Sequence, residues 1–269
     1  MMKIAAIQMT SGSILQDNMA TAARLIAEAA HAGARLLLLP EYWPLMGMHE
    51  HDKTRLAHSP LAVTMTAFMS EQARMHDVYL IGGTVPLVSP ESDKVFNSTL
   101  VFNPEGQQMA RYDKIHLFGF TKGAESYQES RSIVPGSEPI SFSAQDGGNV
   151  LKVGLSICYD LRFPELYRSF GVTDLLVVPA AFTYTTGSVH WEILLRARAI
   201  ENQCYVLASG QTGRHSNGRH TWGHSMLIDP WGKIVAELPE SEGIVVGDID
   251  PQLIREVRNN LPALQHRVM

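Results

Sequence analysis

Short apolar runs alternate along the chain with longer segments of helical periodicity. Apolar runs of about four to eight residues are typical of buried strands, and Pro/Gly-containing links between two pairs of runs predict hairpins. The predicted strands are 3–10, 36–39, 78–85, 97–103, 108–113, 150–157, 174–179, 204–209, 224–228, 233–237 and 243–249. The predicted helices are 17–32, 60–75, 164–170, 189–202 and 251–259, and we expect 117–149 to be rich in loops.

The first predicted helix has recognisable ends. Asp17 or Asn18 can cap its N-terminus, because a short polar side chain there accepts hydrogen bonds from the first unpaired amides. Its alanine-rich run reaches Ala32 and stops at Gly33, a residue type that commonly ends helices. We therefore expect one capped helix that ends at Gly33.

The order of the elements indicates the fold class. Strands that alternate with helices, with hairpins added, predict a layered α/β protein with a mixed sheet. No linker, low-complexity segment or shift in composition divides the 269 residues. We therefore expect residues 1–269 to form a single domain.

Composition and charge narrow the classes of function. With 45% hydrophobic and 18% charged residues, the chain can bury a sizeable core. A formal charge of −5 without a run of Lys or Arg argues against nucleic acid or an anionic membrane as the partner. Two cysteines are too few for a disulfide framework, and the apolar runs are too short to span a bilayer. We expect a soluble, cytoplasmic protein.

Three reactive side chains, Glu41, Lys114 and Cys158, each follow the end of a predicted strand. Functional residues of open α/β sheets gather where strands end and loops begin. Taken singly, the three have ordinary explanations as a solvated glutamate, a surface lysine and a small buried cysteine. Their joint occurrence is what favours a catalytic role.

The combination suits the cleavage of an amide. A thiol needs a base or a cationic neighbour to become a thiolate near neutral pH. A glutamate can shuttle the proton that the departing nitrogen requires. A lysine ammonium together with a backbone N–H can stabilise the oxyanion, and the loss of one such donor typically costs about 3 kcal/mol.

Three segments carry a family resemblance. They read LPE (residues 39–41), YDKIHL (112–117) and ICYDLRFPE (157–165), and their order and spacing resemble the signature segments of the nitrilase superfamily of carbon–nitrogen hydrolases. The resemblance implies Glu41 as general base, Lys114 as oxyanion stabiliser and Cys158 as nucleophile of a thioester acyl-enzyme. It also implies a four-layer α-β-β-α sandwich with mixed sheets. A fourth residue, Glu129, matches a second glutamate that positions the lysine and the substrate.

The second half of the chain resembles one branch of this family. Residues 187–192, 196–206 and 223–232 look like the branch that contains omega-amidase and deaminated glutathione amidase, and 203–205 with 211–215 look closer to the latter. Both activities hydrolyse an amide in a molecule that carries a 2-oxo acid. The resemblance therefore implies a small-molecule amide substrate with a carboxylate, and a role in metabolite repair.

The substrate pocket is harder to define from the sequence. Arg162 can bind a carboxylate through its planar fork, or it can form a structural ion pair with Glu165 or another acid. The backbone N–H of Tyr159 is expected as the second oxyanion donor. Phe182 and Thr183 are expected to line the pocket. The family commonly assembles as dimers or larger homo-oligomers, and the apolar stretch 261–264 could contribute to such an interface.

Several alternatives remain open. A Cys–His enzyme of α/β-hydrolase type needs glycines two residues either side of the nucleophile, where this chain has Ser156 and Asp160. The histidines in 49–51 and 220–224 lie among polar residues without a third metal ligand, and we expect neither a metal nor another cofactor. Nitrile or carbamoyl-amide hydrolysis and a catalytically inactive binding protein are the other candidates.

Overall fold

The structure is a computed structural model that describes residues 1–123 and 125–268. In chain order, the strands are β1 (Met2–Gln8), β2 (Leu36–Leu38), β3 (Tyr79–Ile81), β4 (Val85–Val88), β5 (Val95–Phe102), β6 (Gln108–Asp113), β7 (Gly119–Lys122), β8 (Glu125–Gln128), β9 (Ser141–Asp146), β10 (Asn149–Leu155), β11 (Leu175–Ala180), β12 (Tyr205–Gly210), β13 (Thr212–Arg214), β14 (His220–Trp222), β15 (Ser225–Ile228), β16 (Ile234–Leu238) and β17 (Gly243–Ile249). The helices are α1 (Leu15–His31), α2 (Asp52–Ala57), α3 (Leu61–His76), α4 (Pro164–Ser169), α5 (Tyr184–Asn202) and α6 (Pro251–Asn260).

Two large mixed sheets form the centre of the molecule. The first has the order β17-β1-β2-β3-β5-β4, with β6 paired to β5, and the second has the order β16-β15-β12-β11-β10-β9. Three parallel strands lie in the middle of each sheet, β1-β2-β3 in one and β10-β11-β12 in the other. Antiparallel strands flank them on both sides. The two sheets are therefore built alike.

The central strands are apolar throughout because both of their faces are buried. In β1, Ile4 and Ala6 belong to the core between the two sheets, whereas Ala5 and Ile7 belong to the core under the helices. Side chains alternate between the faces of a strand, so a continuous apolar run fills both cores. Helices α1 and α3 cover the first sheet, and α5, with α4 beside it, covers the second. The expected four-layer α-β-β-α sandwich is confirmed.

The apolar runs predicted most strands and helices to within a few residues. The run 78–85, however, is not one strand, because Gly82 and Gly83 separate β3 from β4. The loop-rich segment 117–149 contains the β7-β8 hairpin and β9, and α2 and the β13-β14 hairpin were not predicted. These missed elements are short, so their periodicity is weak.

The predicted cap of the first helix is wrong. Helix α1 begins at Leu15, and its first residues receive no side-chain cap. Asn18 lies within the helix and bonds to the loops instead: it contacts both backbone groups of Gly12 and donates to the Pro44 carbonyl at 2.9 Å. The C-terminal end was predicted correctly, since Gly33 follows the helix with φ 88°.

The apolar core between the sheets draws on both halves of the chain, from Met2 to Ile254. The single-domain organisation of residues 1–269 stays a prediction. Every helix in the described part of the chain falls short of the length and apolar character that a membrane span requires.

Candidate active site

Glu41 lies in a buried loop that follows β2. One carboxylate oxygen, Oε1, accepts hydrogen bonds from Lys114 Nζ and Asn97 Nδ2, both at 2.9 Å. The other, Oε2, accepts from the Ala181 amide at 2.9 Å. The side chain is 1% exposed, so three donors from three segments replace the water that a free carboxylate would bind. Its position is therefore fixed from both sheets.

The loop that carries Glu41 packs against Gly83, where a side chain would collide with the loop. Gly83 has φ 50°, and a Cβ there would lie 2.1 Å from the Pro40 carbonyl oxygen. The next residue, Thr84, accepts a hydrogen bond from the Tyr42 amide at 2.9 Å. Tyr42 itself has φ 58°, a conformation that non-glycine residues adopt only when their surroundings impose it. Close packing between the β2 and β3 ends thus sets the position of Glu41.

Lys114 is completely buried at the end of β6. Its Nζ donates to Glu41 at 2.9 Å and to both carboxylate oxygens of Glu129 at 2.8 and 3.0 Å. Burial alone would lower the pKa of this ammonium, but the charges of Glu129 and Glu41 outweigh it and hold the pKa above its usual range. The lysine is therefore a permanent cation in the cluster.

Glu129 begins a short 3₁₀ turn after the β7-β8 hairpin. Besides Lys114, it accepts hydrogen bonds from the Tyr42 hydroxyl at 2.6 Å and the Phe118 amide at 2.7 Å. Burial would raise its pKa, but the Lys114 charge and these hydrogen bonds lower it. The second glutamate is thus ionised and anchors the lysine from the side opposite Glu41.

Cys158 is the first residue of a 3₁₀ turn that follows β10, and its φ is 48°. A buried carboxylate, Asp160, fixes this turn. It accepts hydrogen bonds from the Ile157 amide at 2.9 Å, the Tyr112 hydroxyl at 2.7 Å and the His116 amide at 3.0 Å. The strained backbone at the cysteine is therefore held by bonds to the segment that carries Lys114.

The thiol of Cys158 lies beside the carboxylate of Glu41, and the charge of that carboxylate acts on it. Burial is the largest effect on its pKa, and the Glu41 charge adds to it, while Lys114 acts in the opposite direction. The balance raises the pKa well above its ordinary value of 9.0. In the resting protein the sulfur is accordingly a protonated thiol, and the neighbouring Glu41 carboxylate is a base that can accept its proton.

A narrow cleft of about 10 Å³ opens at the thiol. This volume is about that of one water molecule, so the cleft is narrow. Three residues predicted for the pocket, Tyr159, Phe182 and Thr183, line it. The complete lining is Phe118, Cys158, Tyr159, Ala181, Phe182, Thr183 and Thr186.

Arg162 lies at the edge of this cleft. Its guanidinium is 5.7 Å from the ring centroid of Tyr159 and 5.4 Å from that of Phe182. Its Nη1 is 3.3 Å from His190 Nδ1, and within residues 1–123 and 125–268 it forms no ion pair with Glu165 or another acid. The structural ion pair considered above is therefore absent, and the guanidinium keeps its charge available at the rim of the cleft.

Several residues of the cluster were missed by sequence reasoning. Asn97 and the Ala181 amide bind Glu41, and Tyr42 binds Glu129. Tyr42 stands next to Glu41 in the sequence, which is the one local signal that was available. Asn97 and Ala181 come from distant segments that only the folded sheets bring together.

The histidines His220 and His224, which were considered as metal ligands, pack against aromatic rings. His220 stacks on Tyr184 with ring centroids 4.2 Å apart, and His224 stacks on Trp222 at 4.2 Å. His224 Nδ1 also lies 2.6 Å from a carboxylate oxygen of Glu237. Within the described residues, no three His, Cys, Asp or Glu side chains gather in a way that could hold a metal ion.

Comparison with known proteins identifies the family. Residues 3–259 match the carbon-nitrogen hydrolase family, so the chain belongs to this family of enzymes, which hydrolyse carbon–nitrogen bonds. It is 44% identical to a deaminated glutathione amidase of Synechocystis, over 98% of this chain and 97% of that protein. It is 37% identical to omega-amidase NIT2 of Homo sapiens, over 98% and 94%. Both relatives bear the names of amidases.

A solved structure supports the same assignment. The crystal structure of the NitFhit protein of C. elegans superposes with a TM-score of 0.90 at 36% identity. The match covers 99% of this chain and 65% of the NitFhit chain, so this chain spans about two thirds of that relative. The resemblance inferred from the three sequence segments is therefore confirmed.

Proposed function

We propose that this enzyme hydrolyses a small linear amide through a thioester on Cys158. The observation that carries the proposal is that Cys158 lies beside Glu41 in the buried cluster in which Lys114 donates a hydrogen bond to Glu41 at 2.9 Å. A thiol, a base and a cation in one cluster, at a cleft, are the groups that acyl transfer requires.

The first half of the reaction forms the acyl-enzyme. Glu41 accepts the proton of Cys158 as the sulfur attacks the amide carbon, and the carbonyl oxygen becomes an oxyanion. The Lys114 ammonium and the backbone amide of Tyr159, the residue that follows the nucleophile in the 3₁₀ turn, donate to that oxygen. Glu41 then passes its proton to the amide nitrogen, the carbon–nitrogen bond breaks, and the amine leaves.

The second half releases the acid. Glu41, again ionised, accepts a proton from a water molecule that attacks the thioester carbon. The tetrahedral intermediate collapses, the carbon–sulfur bond breaks, and the thiol recovers the proton from Glu41. Glu129 is a positioning residue in this scheme, because it acts through Lys114 and does not touch the cysteine in the contacts of the cluster.

The proposed substrate is deaminated glutathione, an amide between 2-oxoglutarate and cysteinylglycine. The similarity to enzymes of that name supports this choice, and the free charge of Arg162 at the cleft supports a carboxylate in the acyl part. The second candidate is 2-oxoglutaramate, because an omega-amidase is among the similar proteins. Both substrates release 2-oxoglutarate.

A coupled assay separates the two candidates. Glutamate dehydrogenase with excess ammonia reports 2-oxoglutarate from either substrate, and Cys158→Ala serves as the inactive control. We expect a higher kcat/KM for deaminated glutathione. A preference for 2-oxoglutaramate would make the enzyme an omega-amidase. No release of 2-oxoglutarate from either substrate would reject the proposed substrate class.

We also propose that the enzyme self-associates through an apolar stripe on α5. Val189, Ile193 and Ile200 are at least half exposed at helical spacing, and Trp231 continues the patch beside Ile200. Sedimentation velocity of Ile193→Glu, with Val63→Glu on α3 as control, tests this surface. The stretch 261–264 as an interface and the cytoplasmic location stay predictions.

A further inference from the structure

A second and larger cavity lies beside the catalytic cluster. Its volume is about 370 Å³, within the range of small-ligand pockets, roughly 300–1,000 Å³. Tyr42 and Glu129 form part of its wall, so it touches the catalytic cluster directly. Phe118 lines both this cavity and the cleft at Cys158 and therefore marks the boundary between them. The cleft and this cavity are therefore neighbours that share one aromatic ring.

Three cationic side chains line this cavity: Arg131 is exposed, whereas Lys53 from α2 and Arg219 from the β13-β14 hairpin are partly buried. Lys53 Nζ lies 3.5 Å from the centroid of the Tyr42 ring, and the Arg219 guanidinium lies 5.1 Å from that of Tyr127. Across residues 1–123 and 125–268, neither Lys53 nor Arg219 forms an ion pair with an acid. Lys53 and Arg219 thus share one space without an ion pair of their own, although Glu129 and the exposed Glu50 also line it.

The immediate surroundings make this arrangement costly without a ligand. The Nε of Arg219 is buried without a hydrogen-bond partner, and its Nη1 contacts only the weak acceptor Sδ of Met46 at 3.8 Å. Burial, followed by repulsion from Arg219, lowers the pKa of Lys53 to about 8. Of the two acids in the same wall, Glu129 is already bound by Lys114, and Glu50 is exposed to solvent. An anion in the cavity would relieve each of these deficits.

The two sides of the cleft carry separate cations. Arg162 lies over the rings of Tyr159 and Phe182, on the cleft wall, whereas the Lys53–Arg219 cavity opens beyond Phe118. The proposed substrate has a carboxylate on each side of its scissile amide, one on the 2-oxo acid and one at the end of the cysteinylglycine. The larger cavity suits the larger leaving group, since the cleft itself holds little more than one water.

We propose that the Lys53–Arg219 cavity is the leaving-group subsite, and that it binds the terminal carboxylate of a peptide-like amine through these two side chains. The inference rests on the proposed amidase function and adds to it a cause of specificity. Ammonia as the leaving group has no carboxylate to bind the two cations. The carboxylate of a dipeptide leaving group forms a charged contact with them. The cavity therefore distinguishes a peptide amide from a primary amide of the same acid.

The test compares kcat/KM for deaminated glutathione with kcat/KM for 2-oxoglutaramate on the same enzyme preparation. The ratio is independent of the fraction of correctly folded enzyme, so partial misfolding of a variant cancels. Loss of a hydrogen bond to a charged group should lower the ratio about ten- to hundredfold in Lys53→Met and in Arg219→Gln. Lys53→Arg, which keeps the charge, should retain most of the preference. Arg214→Gln, an exposed arginine on the same hairpin, is the matched control.

An unchanged ratio in Lys53→Met and Arg219→Gln would overturn the subsite. A second measurement keeps the subsite separate from the proposed function: calorimetric binding of cysteinylglycine and of cysteinylglycinamide, which lacks the carboxylate. The wild-type protein should prefer the acid, and Lys53→Met should lose that preference. If the enzyme hydrolyses neither amide, the proposed function fails, while absence of the acid preference in the wild-type protein overturns the subsite.

Discussion

Cys158 and Cys204 are both buried, and burial raises the pKa of each thiol, that of Cys204 to about 12. Cys204 lies between α5 and β12 and is completely buried. Cys158 has a left-handed backbone, a carboxylate beside its thiol and a cleft in front of it. The two sites thus share burial and differ in everything that would let a proton and a substrate reach the sulfur.

A raised thiol pKa does not by itself distinguish a structural cysteine from a nucleophile. What distinguishes Cys158 is that part of the rise comes from Glu41, a group that can remove the proton when a substrate arrives. At Cys204 burial is the main cause of the raised pKa, and the more distant charges of Asp174 and Glu201 add less to it. Substitutions around the two sites should therefore have very different consequences.

The largest effect is expected when each cysteine is replaced in turn. Cys158→Ala should lower kcat/KM roughly 10⁵-fold or more, because removal of a nucleophile leaves only binding and oxyanion contacts. Cys204→Ala should keep kcat/KM within about twofold and cost about 1 kcal/mol of stability. The coupled 2-oxoglutarate assay and urea unfolding measure the two quantities. A similar loss of activity in both variants would contradict the proposed difference between Cys158 and Cys204.

Replacement of the base comes next. Glu41→Gln keeps the shape of the side chain but cannot accept the proton, so kcat should fall about 10²–10⁴-fold. The same change removes the charge that raises the pKa of Cys158, so this pKa should fall. Iodoacetamide alkylation against pH should show a thiolate at lower pH in the variant than in the wild type, which stays protonated at pH 9.0. Unchanged alkylation would place Glu41 too far from the sulfur.

Lys114→Met should reduce stability more than any surface change. The lysine is completely buried between Glu41 and Glu129, and removal of one partner of a buried ion pair typically costs about 3–5 kcal/mol. Urea unfolding at neutral pH measures the loss. The double variant Lys114→Met with Glu129→Gln should recover part of it, because one unpaired carboxylate is gone. Absence of any recovery would mean that the two charges are not coupled.

The smallest effect concerns the pH dependence of stability. The folded-state pKa of Glu129 lies below its ordinary value of 4.5, so the unfolded chain binds more protons at this site near that pH. Its contribution is fully present above pH 4.5 and is lost as the pH falls through the folded-state pKa. Glu129→Gln should therefore lose less stability than the wild type between neutral pH and pH 4. Equal losses would contradict the lowered pKa.

Much of the fold could be predicted from the sequence because strands buried on both faces leave continuous apolar runs. The strand that contains Ile4 and Ala5 contributes side chains to two cores. Because both of its faces are buried, it is apolar throughout. Asn18 shows the limit of this reasoning. It has the right residue type for a cap, but its amide group bonds to two loops, one of them 26 residues away. A contact of that kind has no local signature.

The juxtaposition of Glu41, Lys114 and Glu129 in one buried cluster agrees with what the family resemblance implied, and each of these residues follows a strand. Their supports could not be predicted. The Ala181 amide that holds Glu41 lies 140 residues away in the chain, and Asn97 lies 56 away. The cavity formed by Lys53 and Arg219 depends in the same way on a helix and a hairpin that meet only in the fold. Long-range packing determines these contacts, and residue type alone does not.

The central claim is that Cys158, and not Cys204, carries the acyl group during turnover. Rapid acid quench of the enzyme with deaminated glutathione, followed by proteolysis and mass spectrometry of the cysteine-containing peptides, tests it directly. We predict a 2-oxoglutaryl thioester on the Cys158 peptide alone, which disappears when the substrate is exhausted. Acylation of the Cys204 peptide, or turnover by Cys158→Ala at the wild-type rate, would contradict the account.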